Sequence, residues 1–95
     1  MSEPADSHDI VARRRRLKFR SWHRGTREAD LLLGSFVDRH VDAFSAEQLD
    51  RLEALLENGD PDIYDWMIGR EPVPPAFDTD VMRLLMAHRI SAATN

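Results

Sequence analysis

Ala29, Leu32, Leu33, Phe36, Val37 and Val41 recur at the i, i+3, i+4, i+7, i+8 spacing of one buried helical face, and no other feature restricts the fold as tightly. A stripe of that kind needs apolar partners, and the chain supplies them downstream in the same period. Ser45 predicts an N-cap for a helix over 46–57, in which Leu49, Leu52 and Leu56 form the stripe and Leu55 widens it. Asn58-Gly59 is expected to stop that helix with residues that tolerate positive φ. Asp60-Pro61 then predicts a short helix, with a capping Asp, Pro at the first helical position, Ile63, Trp66 and Met67 turned inward, and Gly69 at its end. Pro72, Pro74 and Pro75 forbid regular structure in the loop that follows. Asp78 or Thr79 is expected to cap a last helix whose stripe is Val81, Leu84 and Leu85, flanked by Met82 and Met86.

Upstream of the clearest stripe, Ile10 to His23 has no helix breaker and is rich in Arg, Lys and Leu, although Ile10, Val11, Leu17, Phe19 and Trp22 do not share one face. Residues 1–8 are polar and aperiodic and contain Pro4, so a disordered lead-in is expected there, with Asp9 as a cap for the first helix. No segment alternates with period two, so no strand is expected. The prediction is an all-α protein, a compact five-helix bundle in a single small domain over residues 9–90, with a tail over 91–95.

Composition narrows the function. Ninety-five residues allow one small core, and 42% apolar with 32% charged residues is ordinary for a soluble domain. Without cysteine there is no disulfide framework and no thiolate metal site. The longest apolar run is Leu31-Leu32-Leu33, far short of a membrane span, and the N-terminus lacks the apolar stretch of a secretory signal. A cytoplasmic protein with no membrane insertion is expected. The net charge of −4 hides an asymmetry: residues 1–30 hold eight Lys/Arg against five Asp/Glu, and residues 31–95 hold five against twelve. The basic run Arg13-Arg14-Arg15-Arg16-Leu17-Lys18-Phe19-Arg20 admits three readings. It can be a solvated face covering apolar surface, a docking face for an acidic protein, or a phosphate-binding face with Phe19 and Trp22 stacking on bases. The acidic remainder of the chain opposes a polyanion, which puts nucleic acid last.

Little else carries chemistry. The serines lie in no nucleophile motif, the four glycines are isolated at 25, 34, 59 and 69, and no two of His8, His23, His40 and His88 stand at i, i+4 on one helix. No catalytic residue and no metal site are expected, and His40 reads as a packing residue. Arg24-Gly25-Thr26-Arg27-Glu28 reads as a tight connection: Arg24 near the negative end of one helix, Gly25 permitting an unusual φ, Glu28 in the positive first turn of the next. Arg24 and Glu28 can pair across it.

The stretch Trp22-His23-Arg24-Gly25-Thr26-Arg27-Glu28-Ala29-Asp30-Leu31-Leu32-Leu33-Gly34 resembles the Arg-Gly-x-x-Glu and Asp-Leu-Leu-Leu-Gly signature of the succinate dehydrogenase flavinylation factors. Leu55-Leu56-Glu57 through Asp60-Pro61-Asp62-Ile63-Tyr64-Asp65-Trp66-Met67-Ile68-Gly69-Arg70 is similar to that family's second signature, and the likeness runs collinearly from about Arg14 to His88. The resemblance implies five helices and an assembly role: a chaperone-like factor that is not an enzyme, binds the flavoprotein subunit of succinate dehydrogenase (in some bacteria that of fumarate reductase) and promotes covalent attachment of FAD there. It implies no stably bound flavin, and a monomer is expected when the factor is free. It carries partner contact onto Arg24, Gly25 and Glu28, and more weakly onto Asp30, Tyr64, Asp65 and Trp66. Trp66 follows the stripe of Ile63 and Met67 and reads as core. A nucleic-acid-binding module and a flavin carrier are the alternatives from other classes.

Overall fold

The computed structural model describes the backbone of residues 3–94 and the side chains of residues 9–89. Five α-helices follow one another: α1 (Glu3–Trp22), α2 (Arg27–His40), α3 (Ala46–Leu56), α4 (Asp60–Met67) and α5 (Asp80–Thr94). Single 3-10 turns occupy Val41–Ala43 and Pro75–Phe77, and there is no strand among the described residues. The all-α, five-helix prediction holds. The chain divides into two compact units, Met1–Leu49 and Asp50–Asn95.

In the first unit α1 packs on α2. Leu33, Phe36, Val37 and Val41 of the predicted stripe are buried, with Ala29 and Leu32 at its half-buried margin. The first helix begins at Glu3, ahead of the cap expected at Asp9, because nothing after Pro4 interrupts a helix and Pro is tolerated in a first turn. The side chains of the expected lead-in over 1–8, and of the tail, lie outside the described residues. The irregular apolar pattern of α1 has a simple cause: its buried contacts are Leu17 and Ser21, one turn apart, while Val11 and Phe19 point away from the core. Arg14 joins α1 to the far end of α2. Its Nε donates to the carbonyl of Val41 at 3.1 Å and its Nη2 to that of Phe44 at 3.0 Å, satisfying carbonyls left open where the helix ends. Lys18 approaches Asp42 at 3.7 Å. His40 is half-buried beside Phe36 and Phe44, with ring centroids 4.9 and 6.0 Å away. Burial, and secondarily the Arg39 charge, hold it below its usual pKa.

Capping explains how α3 begins. Ser45 Oγ accepts from the backbone N–H of Gln48 at 3.2 Å and Gln48 Oε1 accepts from that of Ser45 at 2.9 Å, a reciprocal capping box. Two expectations at the other end need correction. Asn58 and Gly59 do not adopt positive φ. Asn58 instead ends α3 through its side-chain amide, which donates to the carbonyls of Ala54 and Leu55, both at 3.1 Å. Gly59, with φ −69°, is the N-cap of α4. Asp60 is therefore inside the first turn rather than the cap, where its charge and that of Asp62 face the positive end of the helix.

In the second unit Leu52, Leu55, Leu56, Ile63, Trp66, Met67, Val81, Met82 and Leu85 are buried. Trp66, at 8% exposure, stacks on Phe77 with centroids 5.4 Å apart, as its inward position predicted. Met82 takes a core place and Leu84 is only half-buried, a shift of the α5 stripe toward its first turn. Thr79 is the α5 cap, its Oγ1 accepting from the Met82 backbone N–H at 3.3 Å. Gly69 ends α4 at φ +81°. None of the described helices is long and apolar enough to cross a membrane, and no group of three or more potential metal ligands occurs among the described residues.

Candidate partner-docking site

The connection between α1 and α2 is four residues, His23, Arg24, Gly25 and Thr26, and the local chemistry fixes almost all of it. Gly25 has φ +112°, a region that side chains rarely enter; a Cβ there would meet nothing within 4 Å, so backbone angle rather than crowding demands glycine. Thr26 is extended (φ −129°, ψ 151°) and caps α2, its Oγ1 accepting from the Ala29 backbone N–H at 3.2 Å. Asp30 reaches back across the turn, and its Oδ1 accepts from the Arg24 backbone N–H at 2.6 Å. A carboxylate hydrogen-bonded to a backbone N–H is among the stronger neutral-donor contacts. The turn is held at both ends.

One helical turn along α2, Gly34 makes room for Trp22. A Cβ at Gly34 would sink into the indole ring, and the ring is fixed in that place by its Nε1, which donates to Asp38 Oδ2 at 3.0 Å. Trp22, Asp30 and Gly34 thus have work in the fold, the first and last by packing, Asp30 by closing the turn.

Glu28 stands apart. It is exposed, sits in the first turn of α2, and among the described residues its side chain makes no hydrogen bond or ion pair. The Arg24–Glu28 pair expected across the turn does not form; Asp30 occupies the turn instead. Leu31, 51% exposed, follows on the same outer side, and Trp22, His23, Arg27 and Leu31 wall a shallow open depression over Gly25. A carboxylate held clear of internal partners, beside a rigid turn and an apolar wall, is suited to directed contact with another protein.

Tyr64 and Asp65 belong to α4, in the second unit. Tyr64 is 49% exposed. Asp65 is half-buried and largely used internally: its Oδ1 lies 3.5 Å from Arg70 Nη1, and its carbonyl accepts from the Arg70 and Glu71 backbone N–H groups at 2.9 and 3.2 Å. Of the six site residues named from sequence, the structure brings Arg24, Gly25, Glu28 and Asp30 together in one turn. Thr26 was not singled out, although a Thr just ahead of a strong stripe is an N-cap signal. The packing of Trp22 on Gly34 and the exposure of Leu31 were not among the expectations from sequence.

Fold and turn together describe a small all-helical protein with a hydrogen-bonded polar turn between its first two helices. Comparison with known proteins makes this specific. A family model described as "flavinator of succinate dehydrogenase" matches residues 15–89. The "FAD assembly factor SdhE" of Acetobacter pasteurianus is 46% identical over 78 residues, covering 82% of this chain and 72% of that protein. The mitochondrial "succinate dehydrogenase assembly factor 2-B" of Drosophila melanogaster is 44% identical, and the 2-A protein of Drosophila mojavensis 42%, each over 81 residues. These matches cover 83% of this chain and 52% of either relative, so the chain spans about half the length of the insect proteins. The chain belongs to the family of succinate dehydrogenase flavinators.

Proposed function

We propose that the protein is an assembly factor that binds the flavoprotein subunit of succinate dehydrogenase and promotes covalent attachment of FAD to it, using the Arg24–Asp30 turn as its contact surface. The observation that carries this reading is Glu28: of the turn's two carboxylates, Asp30 is tied into the fold and Glu28 is not. The family relationship supports the flavoprotein as partner.

The mechanism needs no catalytic group on this chain. A factor that binds one conformer of the flavoprotein tenfold better than another shifts their equilibrium by about 1.4 kcal/mol. If the favoured conformer holds the flavin against its acceptor side chain, the attachment rate rises while the bond chemistry stays within flavin and flavoprotein. Gly25, which carries no side chain at the turn's apex, lets the partner's backbone come close; Glu28 and Arg24 give the contact direction. Tyr64 and Asp65 are proposed as a second, weaker contact. The factor acts without stably bound flavin, as a cytoplasmic monomer when free. Nucleic acid is not its partner: Arg14 and Lys18 are engaged within the fold, which thins the charge left for phosphates.

The test is co-purification with the flavoprotein subunit, followed by in-gel flavin fluorescence of that subunit produced with and without this protein. Association together with more covalent flavin is the expected result. No association and no gain in fluorescence would refute the reading.

A further inference from the structure

Outside the turn, the outer face of α1 carries side chains that the fold does not use. Phe19 is 64% exposed and, with Val11 and Leu31, is among the few large apolar side chains on the surface of the described residues. A single exposed Phe is ordinary. Three observations set this one apart.

First, Phe19 is not loose. Its ring stacks on His23 with centroids 3.9 Å apart and planes 22° from parallel. His23 is itself anchored, because its Nδ1 lies 2.7 Å from the Phe19 carbonyl oxygen. A carbonyl only accepts, so Nδ1 carries the proton and donates. Two rings are thus held as one rigid surface, with little side-chain entropy left to lose on binding.

Second, the ring pair runs directly into the turn. His23 forms one wall of the depression over Gly25, and Leu31 forms another. Third, the cations beside the rings are uncommitted. Arg15 and Arg16 lie one helical turn before Phe19 on the same side, both exposed, and among the described residues neither makes an ion pair, whereas Arg14 and Lys18 have partners within the fold.

We infer that the docking face extends from the turn along α1, with the Phe19–His23 pair as an aromatic ledge and Arg15 and Arg16 as its basic edge. It receives an acidic segment of the flavoprotein subunit whose apolar side chain enters the depression between His23 and Leu31. The inference rests on the function proposed above and adds the chemistry of the partner segment. Rigid aromatic side chains next to arginine are the usual anchors of such contacts, and the arginine edge steers an acidic partner toward them.

The experiment measures association and dissociation rates of the full chain with purified flavoprotein subunit, at low and at physiological salt. Phe19→Ser is expected to weaken binding about tenfold, chiefly by faster dissociation. Arg15→Glu combined with Arg16→Glu is expected to slow association by about tenfold at low salt and to flatten its salt dependence. All three positions are exposed, so circular dichroism and Tm stay at wild-type values. If both variants bind within about twofold of wild type while Glu28→Ala loses binding, contact is confined to the turn; the inference is overturned and the proposed function stands. If wild-type protein does not bind the flavoprotein at all, both fall. Binding to duplex DNA that the arginine variant abolishes, with flavoprotein binding unchanged, would likewise overturn the inference.

Discussion

The two signature regions, residues 22–34 and 60–70, divide their residues between fold and surface in different ways. In the first, the conspicuous letters are mostly structural: Gly25 for its φ, Asp30 for closing the turn on Arg24, Gly34 for the face of Trp22. One carboxylate, Glu28, is left without an internal partner. In the second, Ile63, Trp66 and Met67 fill the core and the carboxylate of Asp65 is paired with Arg70, while Tyr64 and Asp62 stay exposed. A family signature is therefore not a map of a contact surface. What the fold leaves exposed differs between them: Glu28 and Arg27 in the first region, Tyr64 and Asp62 in the second.

Substitutions can break or sharpen that contrast. The largest expected effect belongs to the second region: Trp66→Ala removes a buried, stacked ring and should lower stability by about 3–5 kcal/mol, read as a shift of the urea midpoint. In the first region Gly34→Val forces Trp22 off α2 and away from Asp38. A loss of about 2–3 kcal/mol is expected, with a red shift in tryptophan emission as the indole becomes wet. Gly25→Ala should cost about 1 kcal/mol, from backbone strain alone, since there is open space around the added methyl. A loss much larger than that would mean that the turn is crowded and that the division drawn above is wrong there. Smallest is Asp65→Asn, which weakens one partly exposed pair with Arg70 and should change stability by no more than about 0.5 kcal/mol in thermal melts.

Much of this was legible in the residues, and the remainder was hidden for identifiable reasons. Periodicity located the buried faces of α2, α3 and α4 because each helix turns a single face inward. Ser45 announced the N-cap of α3, although its reciprocal bond with Gln48 went unread, and Gly25 announced its backbone angle. What could not be read were contacts between residues distant in sequence. The pattern gives no hint that Arg14 reaches Val41 and Phe44, that Trp22 lies on Gly34, or that Asp30 rather than Glu28 answers Arg24. The corrections at Asn58 and Gly59 have a different origin. Both residue types accept positive φ but do not require it, and with α4 starting at Asp60 the glycine serves the helix ahead of it rather than the one behind. At the site, the sequence placed Arg24, Gly25, Glu28 and Asp30 in one turn, but only the hydrogen bonds separate the three that hold or shape it from the one that is free.

That separation is the central claim, and Glu28→Ala tests it most directly. The flavoprotein subunit is produced with wild-type or Glu28→Ala protein, Tm values of the two factors are compared, and covalent flavin is read by in-gel fluorescence. The account predicts stability within about 0.5 kcal/mol of wild type together with a clear loss of covalent flavin. A variant that is equally stable and equally effective would contradict it, and would move the site away from the turn.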